Sequence, residues 1–301
     1  MIAVTILGNN SAVPSHNRHP SAQILQTAEH LILIDCGEGT QMQMNTYKIK
    51  KSRISQIFIS HLHGDHYYGL IGLINSYALN NRLNDLHVYA PEKLKSIIEL
   101  QLEVTGSELP FQLYFHPIEK EEILFEDKKF SVECFRVNHR IECWGFIFRE
   151  KKNPRKLNIE LVRKYMVPKS FYENLHQGED YVNEKKELIK NEILTTMAEP
   201  PKSYAYCADT TFFEPIVEKI KGIDLVYHES TYLANLDKKA ADRFHSTSKQ
   251  AATIAKKAQV KKLLLGHFSS MYDTLEEFKI EACEIFENTE IAEEGTCYFA
   301  S

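Results

Sequence analysis

Short apolar runs separated by polar turns predict β-strands along most of the chain. Ile2–Leu7 is rich in β-forming residues and ends at the turn-prone GNNS. The runs Ala22–Gln26 and Leu31–Asp35 are separated by the polar TAEH, which predicts a hairpin. Further strands are predicted at Ile57–Ile59, Leu86–Ala90, Phe111–His116, Glu122–Phe125, Phe130–Val137, Trp144–Arg149, Tyr204–Ala208, Leu225–Tyr227, Lys262–Leu265 and Thr296–Phe299.

Helical periodicity appears between these strands. DCGEGTQMQMN leads into a helix, Gly69–Leu79 has a helical pattern, and LKSIIELQLEV follows Pro91, where a helix can begin. Each late strand is followed by a helical stretch. Because each half of the chain passes from strands to helices, the order predicts two sheets packed together with helices outside. Lys151–Pro201 differs, being charged and helical only in pieces.

Composition and charge narrow the class of protein. The chain has 301 residues, of which 43% are hydrophobic, enough for a sizeable core and unlike a disordered protein. A formal net charge of -5 excludes a positive field for nucleic acid over the whole molecule, so any basic surface must be local. Six cysteines without a C-x-x-C pair are expected to be mostly reduced. The N-terminus reads as strand and loop, not as a leader, and no membrane span is expected, so we expect a cytoplasmic protein.

Ser60–Leu70, SHLHGDHYYGL, contains three histidines and an aspartate within six positions. The pattern His61-x-His63-x-Asp65-His66 places imidazoles and a carboxylate so close together that they need a cation. With no cysteine nearby, these ligands favour Zn²⁺, with Mn²⁺ or Fe²⁺ as alternatives. A chance surface cluster or a single structural zinc is the competing interpretation.

Three further candidate ligands lie just beyond predicted strands. They are His139 in RVNHR, Asp209 in YCADT and His267 in LLLGHFS. Each residue alone also fits a polar position in a loop or the core. Sites in α/β proteins form at the carboxyl ends of strands, so together with the histidine motif these residues favour one metal centre.

The order H-x-H-x-D-H, His, Asp, His resembles the metallo-β-lactamase superfamily. Residues from about Ala3 to Tyr272 resemble, within it, the ribonuclease Z family of tRNA 3′-processing endonucleases. The segments that carry this resemblance are LGNNSAVPSHNR, LIDCGEGTQMQM, IFISHLHGDHYYGLIGL, VNHRIECWGF, YCADT, HEST, HSTSKQAA and LGHFSSMY. GEGTQ, H-S-T and GHFS narrow the resemblance to this family.

The resemblance implies a fold and a set of ligands. The fold would be an αβ/βα four-layer sandwich of two mixed sheets, forming a single domain over residues 1–301 with a substrate-binding arm inserted at about 151–200. Two Zn²⁺ ions would be bound per chain. One would be held by His61, His63 and His139, the other by Asp65, His66 and His267, and Asp209 would bridge them.

The resemblance also implies catalytic roles. Asp65 would orient the attacking water or take its proton. His245 in FHST would protonate the leaving 3′ oxygen, with Glu229 in HEST holding and polarising it. The residues alone also fit Ser246 or Thr247 as a helix N-cap. Asp35 in LIDCGEG is expected to hydrogen-bond the metal loop.

The resemblance implies that the substrate is precursor tRNA, which is cut 3′ of the discriminator base to leave a 3′-OH. It also implies that the protein is a homodimer. Lys151–Lys190 has ten Lys/Arg against six Asp/Glu, which fits an RNA-gripping arm but by charge alone also fits a solvated helical face. Tyr67, Tyr68 and Arg82 fit either RNA contacts or packing at the rim. The alternative function is that of a small-molecule or cyclic nucleotide phosphodiesterase on the same fold. A non-enzymatic zinc- or RNA-binding module is the weakest of the three hypotheses.

Overall fold

Two seven-stranded mixed sheets form the centre of the fold in a computed structural model that describes residues 1–301. The strands are β1 (Ala3–Gly8), β2 (Ala22–Gln26), β3 (Leu31–Ile34), β4 (Ile54–Phe58), β5 (Leu86–Ala90), β6 (Leu113–Pro117), β7 (Ile123–Glu126), β8 (Phe130–Arg136), β9 (Trp144–Glu150), β10 (Lys156–Leu157), β11 (Tyr181–Val182), β12 (Leu188–Ile189), β13 (Thr195–Thr196), β14 (Ser203–Cys207), β15 (Leu225–Glu229), β16 (Lys262–Gly266), β17 (Thr289–Ile291) and β18 (Cys297–Phe299).

The helices connect the strands. They are α1 (Thr40–Thr46), α2 (Gly64–Tyr67), α3 (Leu70–Leu79), α4 (Lys93–Thr105), α5 (Ile159–Lys164), α6 (Tyr172–Gln177), α7 (Asn191–Leu194), α8 (Ile216–Lys219), α9 (Asp237–Asp242), α10 (Ser248–Lys257) and α11 (Glu276–Cys283), with 3₁₀ turns at Lys51–Arg53, Lys169–Phe171 and Ala234–Leu236. None of these helices has both the length and the apolar character needed to cross a membrane.

The strand order is β18-β1-β2-β3-β4-β5-β6 in the first sheet and β17-β16-β15-β14-β9-β8-β7 in the second. Strands β3 to β6 run parallel, and so do β14 to β17. Parallel neighbours end at the same edge of a sheet, so each sheet has one edge at which several carboxyl ends meet. Those two edges provide the side chains of the site.

The two sheets pack face to face. The ring of Phe58 on β4 lies 5.5 Å from that of Phe146 and 5.7 Å from that of Phe148, both on β9. On the outer face of the first sheet, α1, α3 and α4 bury residues such as Met44, Leu73 and Leu94. Strands covered on both faces must be apolar throughout, which explains the uninterrupted LILI of β3.

The predicted fold class is confirmed by this layer order, and the predicted hairpin is β2–β3. Strand β4 begins at Ile54, three residues before the predicted start. Strand β17 and the two-residue strands β10 to β13 were not predicted, because so few residues cannot show an alternating pattern.

Residues 127–130 and 150–201 form a compact unit distinct from the rest of the chain. The unit has its own apolar cluster, made by Val162, Val167, Leu175, Ile189 and Leu194. Strands β10 and β13 pair, as do β11 and β12. The role predicted for the arm at about 151–200, substrate binding, stays a prediction.

Candidate metal centre

The predicted metal ligands lie beyond the carboxyl ends of strands from both sheets. His61 follows β4 of the first sheet, His63 precedes the one-turn helix α2, and α2 contains Asp65 and His66. From the second sheet, His139 follows β8, Asp209 follows β14 and His267 follows β16.

Four of these residues form a first cluster. The Nε2 atom of His61 lies 3.0 Å from Nδ1 of His63, which lies 3.1 Å from Nε2 of His139. Oδ2 of Asp209 is 3.6 Å from Nε2 of His61 and 3.8 Å from Nε2 of His139. Three nitrogens and one oxygen therefore converge on one point.

Asp65, His66 and His267 form a second cluster with the other oxygen of Asp209. The Nε2 atoms of His66 and His267 are 3.3 Å apart, and Oδ2 of Asp65 lies 3.6 Å and 3.4 Å from them. Oδ1 of Asp209 lies 3.4 Å from Nε2 of His66 and 3.2 Å from Nε2 of His267. One carboxylate thus faces both clusters.

The buried carboxylate of Asp35 determines which ring nitrogen carries the proton in two of these histidines. Nδ1 of His66 donates to Asp35 over 2.7 Å. The hydroxyl of Ser60 donates to Asp35 over 2.9 Å and can therefore accept from Nδ1 of His61 over 3.0 Å. With a proton on Nδ1, each Nε2 presents a lone pair to its cluster.

Hydrogen bonds also determine which ring nitrogen carries the proton in His267 and His139. The hydroxyl of Thr231 donates to Glu229 and accepts from Nδ1 of His267, at 2.8 Å and 3.0 Å. Nδ1 of His139 donates to the carbonyl oxygen of Phe244 over 2.9 Å. When these rings are neutral, their Nε2 lone pairs and the carboxylate oxygens therefore face one another, which is the arrangement of a cation site.

His63 is the exception to this pattern. In this structure, Arg140 donates to Nε2 of His63 over 3.2 Å. A cation bound at Nδ1 would require the proton of His63 to lie on Nε2, where it would face the guanidinium of Arg140.

The spacing of the ligand atoms fits zinc. Bonds of about 2.0–2.2 Å to a tetrahedral Zn²⁺ place neighbouring ligand atoms about 3.3–3.6 Å apart. The separations of 3.0 to 3.8 Å in the two clusters bracket that range. Both clusters therefore fit a metal ion in donor type and in spacing.

The ionisation of the ligands suits metal binding in the first cluster. Burial lowers the pKa of His61 and His139, and burial together with His139 lowers the pKa of His63 to about 4, so all three are neutral at pH 7. In the second cluster burial opposes ionisation of Asp65, but His66 and His267 hold its pKa below the usual value. Burial also opposes protonation of His66, yet the carboxylates of Asp209, Asp65 and Asp35 raise its pKa.

His245 and Glu229 form an ion pair beside the two clusters. Nδ1 of His245 lies 2.9 Å from Oε1 of Glu229, which is fully buried and also accepts from the backbone N–H groups of Thr210 and Thr231. Burial opposes the charge on His245, but Glu229 outweighs it and raises the pKa of His245 to about 9. The imidazole is therefore protonated at neutral pH.

The structure brings the predicted metal ligands together with His245 and Glu229, and His63, Asp65, Asp209, His245 and His267 line a cavity of about 690 Å³. Asp35 bonds the metal loop as expected, and Thr247 is the N-cap of α10, a position that the sequence had left open. Sequence reasoning missed the hydroxyls of Ser60 and Thr231, although each adjoins a motif residue. Arg82 does not line this cavity but a separate one near the end of α3.

Comparison with known proteins gives the family. The chain is 40% identical to a ribonuclease Z of Bacteroides thetaiotaomicron over 97% of its own length and 93% of the relative. It is also 40% identical to a ribonuclease Z of Porphyromonas gingivalis over 97% of each chain. The chain belongs to the ribonuclease Z family. A family model described as Anti-Pycsar protein Apyc1 matches residues 2–154.

Solved structures agree with the family. Human tRNase Z, short form, covers 99% of each chain with a TM-score of 0.72 and 26% identity. The metallo-β-lactamase fold protein YhfI from Bacillus subtilis has a TM-score of 0.70, covering 99% of this chain and 98% of its own, at 17% identity, and so supports the fold. The predicted ribonuclease Z membership and metallo-β-lactamase fold are thus confirmed, and the predicted role of each site residue stays a prediction.

We expect Asp35→Asn to lower zinc affinity about 10–100-fold, because a carboxamide has one acceptor oxygen, and its NH₂ group must face either the backbone N–H of Ser60 or the donors on His66 and the Ser60 hydroxyl. Competition with a chromophoric chelator measures the affinity. Tyr206→Phe is the matched control, since it removes another donor to Asp35 and leaves the histidines alone. A folded Asp35→Asn protein with unchanged zinc affinity would contradict the orienting role.

Proposed function

We propose that the protein is a zinc-dependent endoribonuclease that hydrolyses the phosphodiester 3′ of the discriminator base in precursor tRNA and leaves a 3′-OH end. The observation that carries the proposal is the pair of clusters bridged by Asp209, with the His245–Glu229 ion pair beside them. Membership of the ribonuclease Z family supports the choice of RNA. The homodimer and the cytoplasmic location stay predictions.

The proposed ligands divide as the clusters do. His61, His63 and His139 would hold one zinc ion and Asp65, His66 and His267 the other, with Asp209 between them. Two such ions, when bound, supply an acidic water for attack and positive charge for the phosphoryl oxygens.

The chain's own residues would orient and protonate. Oδ2 of Asp65 accepts from the backbone N–H of Ala12 over 2.7 Å, which fixes the carboxylate that orients the attacking water or takes its proton. His245 carries its proton into the cavity and can give it to the leaving 3′ oxygen. Glu229, buried and held by three donors from Thr210 and Thr231, keeps that imidazole charged and in place.

The zinc-loaded protein should cut a precursor tRNA with a 3′ trailer once, directly after the discriminator. Mapping of the cut by gel and detection of a 3′-OH end test this outcome, and Asp65→Ala should abolish it. Hydrolysis of bis(p-nitrophenyl) phosphate, with no cut in the RNA, would instead support the alternative of a small phosphodiester hydrolase.

His245→Ala should slow tRNA cleavage about 10²–10⁴-fold, because the leaving alkoxide loses its proton donor. The variant should hydrolyse bis(p-nitrophenyl) phosphate almost normally, since p-nitrophenolate leaves without a proton, and its zinc content should not change. An equal loss with both substrates would mean that His245 has a structural role.

The same role predicts the pH dependence of cleavage. The acid form of His245 is the active one, so the wild-type rate must fall as pH rises through its pKa. That pKa is about 9 in the metal-free protein, and nearby cations would lower it. The falling limb should be absent in His245→Ala.

Removing residues 151–201, which make up most of the compact unit described above, should abolish tRNA cleavage. The same deletion should leave the hydrolysis of bis(p-nitrophenyl) phosphate unchanged. In the register of β9 and β14, Arg149 lies opposite Ser203, so Asn-Gly can replace Lys151–Pro201 and close the two strands as a hairpin. Circular dichroism checks the fold, and kcat/KM for both substrates provides the test. Retained tRNA cleavage would refute a substrate-binding role for the unit.

A further inference from the structure

Tyr68 presents an aromatic ring at the mouth of the metal cavity. Its side chain is 64% exposed, whereas the neighbouring Tyr67 packs against the apolar core of the first sheet. The ring of Tyr68 lies over Gly64 so closely that a Cβ there would come within 2.1 Å of it. The ring is thus held directly against the histidine motif with one side open to solvent.

Unpaired cations line the same cavity. Arg140, Lys239 and Arg243 contribute to its wall, and no ion pair joins any of them to a carboxylate. The Nζ atom of Lys239 lies 5.1 Å from the ring centre of Tyr232. Proteins bind single-stranded RNA with cationic side chains that contact its phosphate backbone and with aromatic rings that stack on its bases.

The proposed chemistry decides which nucleotide lies near Tyr68. The leaving 3′ oxygen belongs to the discriminator nucleotide and must reach His245. His245 lies with Tyr232 on the side provided by the second sheet, their rings 6.4 Å apart. The discriminator nucleotide would therefore lie on the side of the second sheet. The first trailer nucleotide would then lie on the side of the first sheet, beside the loop that contains His63 and Tyr68.

We propose that Tyr68 stacks on the base of the first trailer nucleotide and so positions the strand for attack. The inference rests on the proposed function, because it needs an RNA strand in the cavity. Stacking reads no base edge, so Tyr68 would accept any trailer sequence.

The test is a cycle between a protein variant and a substrate variant. The value of kcat/KM is measured for wild type, Tyr68→Ala and Tyr68→Phe, on precursor tRNA that is intact or lacks the first trailer base. Tyr68→Ala should lose about 10-fold on the intact RNA, and Tyr68→Phe should retain wild-type activity. Wild type should lose the same factor on the abasic RNA, and Tyr68→Ala should lose nothing more.

Two controls separate stacking from damage to the site. Tyr68→Ala should leave the hydrolysis of bis(p-nitrophenyl) phosphate unchanged. Tyr114→Ala removes another exposed tyrosine, on β6 and outside the cavity, and should affect neither substrate.

The outcomes are distinguishable. If the losses in kcat/KM from Tyr68→Ala and from the missing trailer base multiply in the combined experiment, the two groups act independently and the inference is wrong. It is also wrong if the loss from Tyr68→Ala disappears on a precursor tRNA that lacks the discriminator base and not on one that lacks the first trailer base. If the wild-type protein cuts no precursor tRNA at all, the proposed function fails and the inference falls with it. If the protein cuts precursor tRNA but Tyr68 and the first trailer base act independently, the inference is wrong and the proposed function is unaffected.

Discussion

Asp35 has a carboxylate without solvent exposure that accepts four hydrogen bonds, from the amide and hydroxyl of Ser60, from Nδ1 of His66 and from the hydroxyl of Tyr206. The first two donors come from the residue that also bonds His61, so this one carboxylate sets the tautomer of a histidine in each cluster. The donor from Tyr206 crosses from the second sheet. Both the metal ligands and the packing of the sheets therefore depend on a charge that touches no metal.

Glu229 has the corresponding position in the second sheet. It is also fully buried, and through Thr231 it fixes His267 while it pairs directly with His245. Each sheet thus provides one carboxylate that orients imidazoles, and the aspartates that face the two clusters, Asp65 and Asp209, are separate residues. Both carboxylates lie at strand ends, Asp35 directly after β3 and Glu229 as the last residue of β15, where the hydrogen-bonded sheet keeps the buried charge and its donors in place.

The sequence predicted the clusters because their signal is local and chemical. His61, His63, Asp65 and His66 lie within six residues, and the other ligands follow apolar runs that mark strand ends. The pairing of Thr231 with His267 was not predictable, since the two residues are 36 positions apart and meet only through β15 and β16. Tyr68 and Arg82 looked alike as candidates for RNA contacts. Only the structure separated them, with Tyr68 at the cavity and Arg82 buried against Tyr77.

The acidic character of the chain raises the question of how it attracts RNA. Without ions, Asp35, Asp65 and Asp209 give the centre three negative charges, offset by the proton that they favour on His66. In the proposed function, two divalent cations would bring four positive charges against those three carboxylates, while Glu229 is paired with His245. Metal binding would therefore reverse the sign of the field in the cavity, and Arg140, Lys239 and Arg243 would add to it at the rim. The metal centre would thus supply affinity for the phosphodiester as well as chemistry, which is how a chain with a net charge of -5 could act on a polyanion.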